Sequence, residues 1–317
     1  MATSSSYNFS TTRDTLITDA LLYIGAIGEG ETPSSSSVTE AARMLNMLMK
    51  SWAADGMPLW SLKRGYILPF TGASSVAATS SHVVTDYSTT TLSADEAANQ
   101  TVLSVTSSTG MTAADQVGIE LDDGTMHWTT IVSVDSSVQI TITSALASAA
   151  SSGNRLFSYT SSTDRLQRPI RVLDVQVKDV TADSSYPINQ IGRSEYYNLG
   201  DRASEGTPNQ VYFDPDLSGG TFFVFPRFSN GDNIIEFTFH RPFQDFDGAS
   251  DEPDCPQEFY LSLTIGLASL LGPKYGVDLK ERQALMAEAK FYRDEALSTI
   301  YPEGSIYFQP DNRGNDN

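Results

Sequence analysis

The densest set of chemistry-bearing residues is Asp122-Asp123 followed by His127 and Trp128. Paired carboxylates beside an aromatic ring suit a sugar-binding site, with Trp128 as stacking platform. Adding His127 extends that reading to a hydrolase centre. Against it, Asp123-Gly124 is a strong hairpin signal, so a charged turn followed by a strand accounts for the same residues. Gly25, Gly28 and Gly30 resemble a phosphate loop only faintly: they follow a helical pattern rather than a strand, and no lysine completes the motif. Cys255 is the single cysteine, which excludes an internal disulfide and a cysteine-type zinc cluster. No His or Asn pattern marks it as a nucleophile. Asp245, Asp247, Asp251, Glu252 and Asp254 form an acidic loop whose spacing does not match an EF-hand. No catalytic, cofactor or metal constellation emerges, and the expectation is a protein that is not an enzyme.

The elements that would carry such residues begin with two amphipathic helices. Leu16, Ile17, Ala20, Leu21 and Ile24 share one face at 3.6-residue period, with Thr11-x-x-Asp14 as start and Gly25 and Gly28 as end. Val38, Ala41, Ala42, Leu45, Leu48, Met49 and Trp52 make a second stripe, opened by a Ser37-x-x-Glu40 capping box and stopped at Asp55-Gly56-Met57-Pro58. Two more helices close the chain. One starts at Asp254-x-Pro256-Gln257 and is apolar on nearly every side through Phe259, Leu261, Leu263, Ile265, Leu267, Leu270 and Leu271. The other starts at Asp278-x-x-Glu281 and aligns Leu285, Ala289, Tyr292 and Ala296. Leu45, Leu48, Trp52, Trp60, Phe259, Leu263 and Leu267 are the candidates for packing within the body and between subunits.

The 317 residues carry 39 acids and 20 bases, a net charge of −19. Such a chain repels phosphate backbones, which disfavours electrostatic nucleic-acid binding. No apolar run approaches the ~18 residues of a membrane span. The start, MATSSSYNFSTTRD, lacks a signal-peptide layout, so a soluble, unexported protein is the expectation.

The middle of the chain changes character twice. From Thr71 to Thr163, 36 of 93 residues are Ser or Thr, with no Pro, no Lys and Arg155 as the single base. Short β-type runs recur there, at Thr101–Val105, Val117–Leu121, Trp128–Val134, Val138–Ile142 and Leu156–Tyr159, predicting a small sandwich or barrel. Ala73–Thr91 and Ala145–Gly153 fit flexible stalks. Outside the insert, Asn209–Phe213, Thr221–Phe225 and Asn233–His240 read as an antiparallel meander with the turns between them, belonging to the same body as the strands Tyr66–Phe70 and Ile170–Val177. Ser194–Leu199 reads as a short helix. The expected fold class is α+β: a helical-bundle body from the N- and C-terminal helix pairs with a β meander, plus an inserted all-β domain. Its divisions are 1–70, 71–163, 164–300 and a tail, 301–317. In that tail Ile306-Tyr307-Phe308 stands as an apolar triplet among polar residues, either folding back or docking on a partner.

The run Arg13-Asp14-x-Leu16-Ile17-x-Asp19-Ala20-Leu21-x-x-Ile24-Gly25 resembles the head-to-tail adaptor proteins of short-tailed bacteriophages, also called tail accessory or packaged-DNA stabilisation proteins. So do Gly30-Glu31-Thr32-Pro33, Leu45-Asn46-x-Leu48-x-Lys50-Ser51-Trp52-x-Ala54-Asp55-Gly56 and Leu59-Trp60. Pro187-Ile188-x-x-Ile191-x-Arg193-x-Glu195-Tyr196-Tyr197, Gly206-x-Pro208, Tyr212 and Pro226 continue the resemblance over residues 11–70 and 165–300. Shorter members are mostly helical, and the meander and the insert depart from them. The resemblance implies a structural virion protein, made in the host cytoplasm and placed at the head–tail interface. It would form a ring of twelve copies beneath the portal protein and present a platform for tail nozzle or fibre proteins. DNA would pass through its channel without specific binding, no membrane would be involved, and packaged genome would be retained. In relatives a C-terminal extension reaches the portal, which transfers here to Ile306, Tyr307 and Phe308.

The competing reading is a tail- or fibre-associated binding module whose β insert recognises a glycan or host surface, motivated by Trp128 and the Asp122-Asp123 tip. A hydrolase centred on Asp122, Asp123 and His127 is the third.

Overall fold

The computed structural model describes residues 5–55, 59–217 and 219–300. They divide into two compact units, one of Met1–Trp60 with Phe243–Asn317 and the other of Ser61–Pro242.

The first unit is helical. Its elements are α1 (Arg13–Tyr23), α2 (Ser35–Asp55), α4 (Tyr260–Leu271) and α5 (Leu279–Ile300), the short α3 lying in the other unit. Thr12 caps α1, its hydroxyl accepting from the Thr15 N–H. Gly25 ends it in the left-handed region (φ +66°), a conformation that glycine reaches without Cβ strain. For α2 the start lies earlier than the Ser37 box: the Ser34 hydroxyl accepts from the Ser37 N–H (3.2 Å). Glu40 is therefore free of cap duty and pairs with Lys274 instead. Helix α4 is the axis of the unit, packing on α1, α2 and α5. Leu263, Leu267, Ala268 and Leu271 meet Leu16, Ile17, Leu21, Leu45 and Met49 in one core. Ile265 turns the opposite way, to Leu285 and Ala289 of α5. No helix among the described residues is long and apolar enough to cross a membrane.

The second unit is β. Its strands, in chain order, begin with β1 (Leu62–Ile67), β2 (Ser75–Ala77), β3 (Val83–Val84), β4 (Ser88–Thr91) and β5 (Val102–Ser104). Next come β6 (Gln116–Glu120), β7 (Met126–Ser136), β8 (Gln139–Ile142), β9 (Arg155–Tyr159), β10 (Arg171–Asp179), β11 (Ser184–Pro187) and β12 (Asn189–Gln190). Helix α3 (Arg193–Tyr197) precedes β13 (Glu205–Gly206), β14 (Gln210–Asp214), β15 (Thr221–Phe225), β16 (Arg227–Phe228) and β17 (Asn233–His240).

A five-stranded sheet, β11-β10-β17-β1-β3, and a four-stranded sheet, β12-β14-β15-β2, share one core. Val175, Val177, Ile235, Phe237 and Phe239 of the first interleave with Val211, Phe213, Phe222 and Val224 of the second, the pattern of a β-sandwich. The expected single meander is thus split: β14 and β15 pair with each other, while β17 crosses to sit between β10 and β1. Gly65 on β1 is required by this packing, since a Cβ there would lie 2.6 Å from the Phe237 ring.

The remaining sheet runs β4-β9-β6-β7-β8-β5. A bridge between Leu92 and Val105 joins the residues that follow its two edge strands, so the sheet closes on itself as a small barrel. Leu103, Val117, Ile119, Ile131, Ile140, Ile142 and Leu156 fill it. Part of its outer face is covered. Phe157, Tyr159 and Met126 pack on Leu68, Val84 and Ile234 of the sandwich. The run expected as a flexible stalk instead supplies β2, β3 and β4, which tie barrel to sandwich.

The expectation of a helical-bundle body is overturned. The described residues are mostly β, with 17 strands in four sheets against five helices. The physical reason is one of legibility. A helix of 11–22 residues announces itself by its own period, whereas strands of two to five residues gain their burial only from partners distant in sequence.

Candidate functional site

The polar residues singled out in the barrel are occupied by structure. The Asp122 carboxylate accepts from the Ser151 N–H (2.8 Å) and hydroxyl and from the Asn154 amide, and these bonds, the Ser151 backbone first, hold its pKa below the ordinary value. Asp123 accepts from the Thr125 hydroxyl (2.6 Å) and N–H, which lowers its pKa likewise. His127 Nε2 faces the Ser144 carbonyl at 3.2 Å. Trp128 points elsewhere. Its Nε1–H donates to the Pro69 carbonyl (3.2 Å), and its ring meets His82 edge-on at 5.0 Å and Tyr159 at 6.3 Å. A Cβ on Gly118 would lie 2.7 Å from that ring, so the glycine opposite Trp128 is what lets it lie flat. Trp128 is the seam between barrel and sandwich, not a platform for a sugar.

The acidic loop is similarly self-satisfied. Asp251 accepts from the Gly248 and Asp247 N–H groups, which depress its pKa in that order. Asp245 pairs with Lys50 (2.8 Å), and Asp254 accepts from the Gln244 N–H. Among the described residues no group of three or more His, Cys, Asp and Glu is placed to hold a metal ion. Cys255 is half-buried in the helical unit, and burial pushes its thiol up to about 12, far from a reactive thiolate.

In the helical unit a groove of about 620 Å³ runs between α2, α4 and α5, lined by Leu48, Ser51, Trp52, Gly266, Ser269, Leu270, Met286, Ala289, Lys290 and Arg293. Its two hydroxyls are bonded to the backbone of their own helices: Ser51 donates to the Leu48 carbonyl and Ser269 to the Gly266 carbonyl. Gly266 brings α4 close to α2, with Leu48 only 3.1 Å from where a Cβ would stand. The floor is the Trp52 ring, tilted against Phe259 at 6.1 Å and covered on one side by the Arg293 guanidinium at 5.8 Å. Leu270 is 40% exposed and Met286 54%. Phe291 is 63% exposed further along α5. Leu270 and Met286 thus form an exposed apolar patch at the mouth of the groove.

Of the residues chosen from sequence for packing, Leu45, Phe259, Leu263 and Leu267 are buried in the helical unit. Trp60 stacks on Phe243 (5.9 Å) and Phe259 (4.8 Å) and donates to the Asp254 carbonyl. Leu48 and Trp52 line the groove. Ile306, Tyr307 and Phe308 lie outside the described residues.

A second cluster was not legible as such. Tyr196 and Tyr197 of α3 meet Phe223 of β15 and Tyr212 of β14, with ring centroids 5.0 to 6.3 Å apart. Arg202 lies over Tyr197 at 5.2 Å and over Tyr196 at 5.9 Å, and Arg193 over Tyr197 at 5.8 Å. Tyr196 and Tyr212 are buried, and Tyr197, Arg193 and Arg202 are the exposed members of the stack. The only sequence signal was the Tyr-Tyr pair itself. The strands that complete the stack come from residues 210–225.

No family model matches the chain, and no curated protein does. Among solved structures, one similarity is to the Gp54 tailspike of the Acinetobacter baumannii bacteriophage AP22, whose structure was determined in complex with A. baumannii capsular saccharide. It covers 23% of this chain and 15% of that one, at 16% identity and a TM-score of 0.21. A likeness of that extent carries no argument about fold or role.

Proposed function

We propose that this chain is a structural, partner-binding protein of a bacteriophage tail apparatus, and within it a head-to-tail adaptor joining portal to tail. The observation that carries the reading is the groove of the helical unit. Its walls come from both chain ends, from the stretch Leu45–Trp52 that carries the adaptor resemblance and from α4 and α5. An open apolar groove whose serine hydroxyls are already bonded to backbone carbonyls favours protein contact, and a ring repeats one such contact around its axis. The net charge of −19 suits a channel wall that DNA must pass without sticking. In this reading the chain supplies complementary faces and no reaction.

The test is the position of the protein in a particle. Electron microscopy of virions carrying a tag at the N-terminus should place the label at the head–tail vertex, in a ring. Particles that lack the protein, or carry the label away from the vertex, refute the adaptor.

The binding-module reading is kept for one observation: the barrel is a closed body with Val102, Val132 and Val138 exposed on β5, β7 and the turn into β8. Such a surface could meet a host glycan or a neighbouring fibre. Replacing all three valines with Ser should then abolish attachment while assembly proceeds. Unchanged attachment removes this reading.

A further inference from the structure

We propose that the groove between α2, α4 and α5 is the seat of this chain's own Ile306-Tyr307-Phe308. Three features converge on that occupant. The first is reach. Met286 lies 14 residues and Arg293 seven residues before Ile300, where α5 ends, so the groove begins ~10 Å and finishes ~21 Å back along the helix axis. The six to eight residues from Ile300 to the triplet span at most ~20 to 28 Å extended. Pro302 and Gly304, within that connection, are residues suited to a reversal of direction. The second is chemistry. The triplet is an aliphatic residue and two rings in an otherwise polar stretch, and the groove offers Leu48, Trp52, Leu270 and Met286, its two serine hydroxyls already donating to backbone carbonyls. The third is charge. Glu303 and Asp311 flank the triplet, while the cations lining the groove are Lys290 and Arg293.

Seating in the same chain is favoured over a second copy because a short connection raises the local concentration of the triplet at the groove far above that of any free partner. The consequence is a masked surface. An apolar groove open at Met286 and Leu270 invites association between free chains, and a seated triplet covers it until a partner with greater affinity takes its place. The seat is a property of the isolated chain, so it stands or falls separately from the adaptor reading.

The experiment uses the full chain with Tyr307→p-benzoylphenylalanine, prepared as an equal mixture of ¹⁴N and ¹⁵N protein and irradiated. Mass spectrometry should find the tail peptide joined to peptides containing Leu48–Trp52 or Met286–Arg293, with both halves of the same isotope. Met286→Asp with Leu270→Asp should lower that yield about tenfold, since a carboxylate then occupies the apolar seat. Circular dichroism of the double variant should match the parent, because both residues are exposed. Crosslinks of mixed isotope would assign the triplet to a second copy. Crosslinks to other peptides, no crosslinks, or a yield insensitive to the double variant in a folded protein would each overturn the proposal.

Discussion

The helical unit and the β unit solve opposite problems. In the β unit most large apolar side chains are enclosed: two sheets face each other, the barrel closes on itself, and part of its outer face is capped by Leu68, Val84 and Ile234, although Val102, Val132 and Val138 stay exposed. Polar side chains there are spent on turns, as Asp122, Asp123 and Asp164 are. In the helical unit, α4 is so apolar that three neighbours do not cover it: Leu261 remains exposed, and so does Leu270, which lines the groove with Met286. The difference is geometric. A sheet has two faces, each of which one packed layer can cover, whereas a helix that is apolar around its circumference needs neighbours on every side. The helical unit therefore keeps an open apolar groove of about 620 Å³.

The comparison breaks most sharply at the barrel seam. Trp128→Ala should cost about 3 to 5 kcal/mol in denaturant unfolding, because it removes the ring packed between Gly118, His82 and Tyr159. A loss under about 1 kcal/mol would mean that barrel and sandwich are stable separately, as flexible stalks would have allowed. Next in size is the start of α2. Ser34→Ala should cost about 1 kcal/mol of stability by thermal melting, since its hydroxyl caps the Ser37 N–H. An unchanged melting temperature would return the cap to Ser37.

Acid should weaken the β unit. Burial lowers the His82 pKa, and burial together with Arg171 lowers that of His240. The unfolded chain then binds protons first, so stability is full above about pH 6.5 and falls as pH drops through the lower folded values. His82 sits between Phe70 and Trp128, with Nδ1 buried and without a hydrogen-bond partner among the described residues. His82→Phe should remove part of this acid sensitivity in urea titrations at pH 7 and pH 5. A variant with the parent's full pH dependence would assign the effect to other groups. The smallest effect is expected at the groove. Met286→Asp alone should change stability by less than about 0.5 kcal/mol while reducing assembly with portal, read by sedimentation. A large loss of stability would show that Met286 belongs to the core and not to an association surface.

Much of the local structure was legible. Strands β15 and β17 begin and end where alternation placed them, at Thr221–Phe225 and Asn233–His240. The Asp123-Gly124 turn joins β6 and β7 as its residues require, with Gly124 at φ +80°. The stripes through Leu16–Leu21 and Leu45–Met49 are buried on the faces their spacing assigns. The fold class was not legible, because the weight of the chain lies in short strands whose partners are remote. Strand β1 pairs with β17 from about 170 residues away, and nothing in either segment names the other. The site was half legible. Leu48 and Trp52 were chosen for packing, yet only the approach of α5 leaves them at an open groove.

By itself the sequence determined periods, turns, caps and the sign of the charge, since each depends on residues within one or two turns of each other. Tertiary structure decided which sheet each strand joined, that Trp128 faces inward as a seam, and that α4 leaves one side uncovered. Those outcomes depend on which distant surfaces exclude water together. Burial is a property of the pair of surfaces and not of either segment alone.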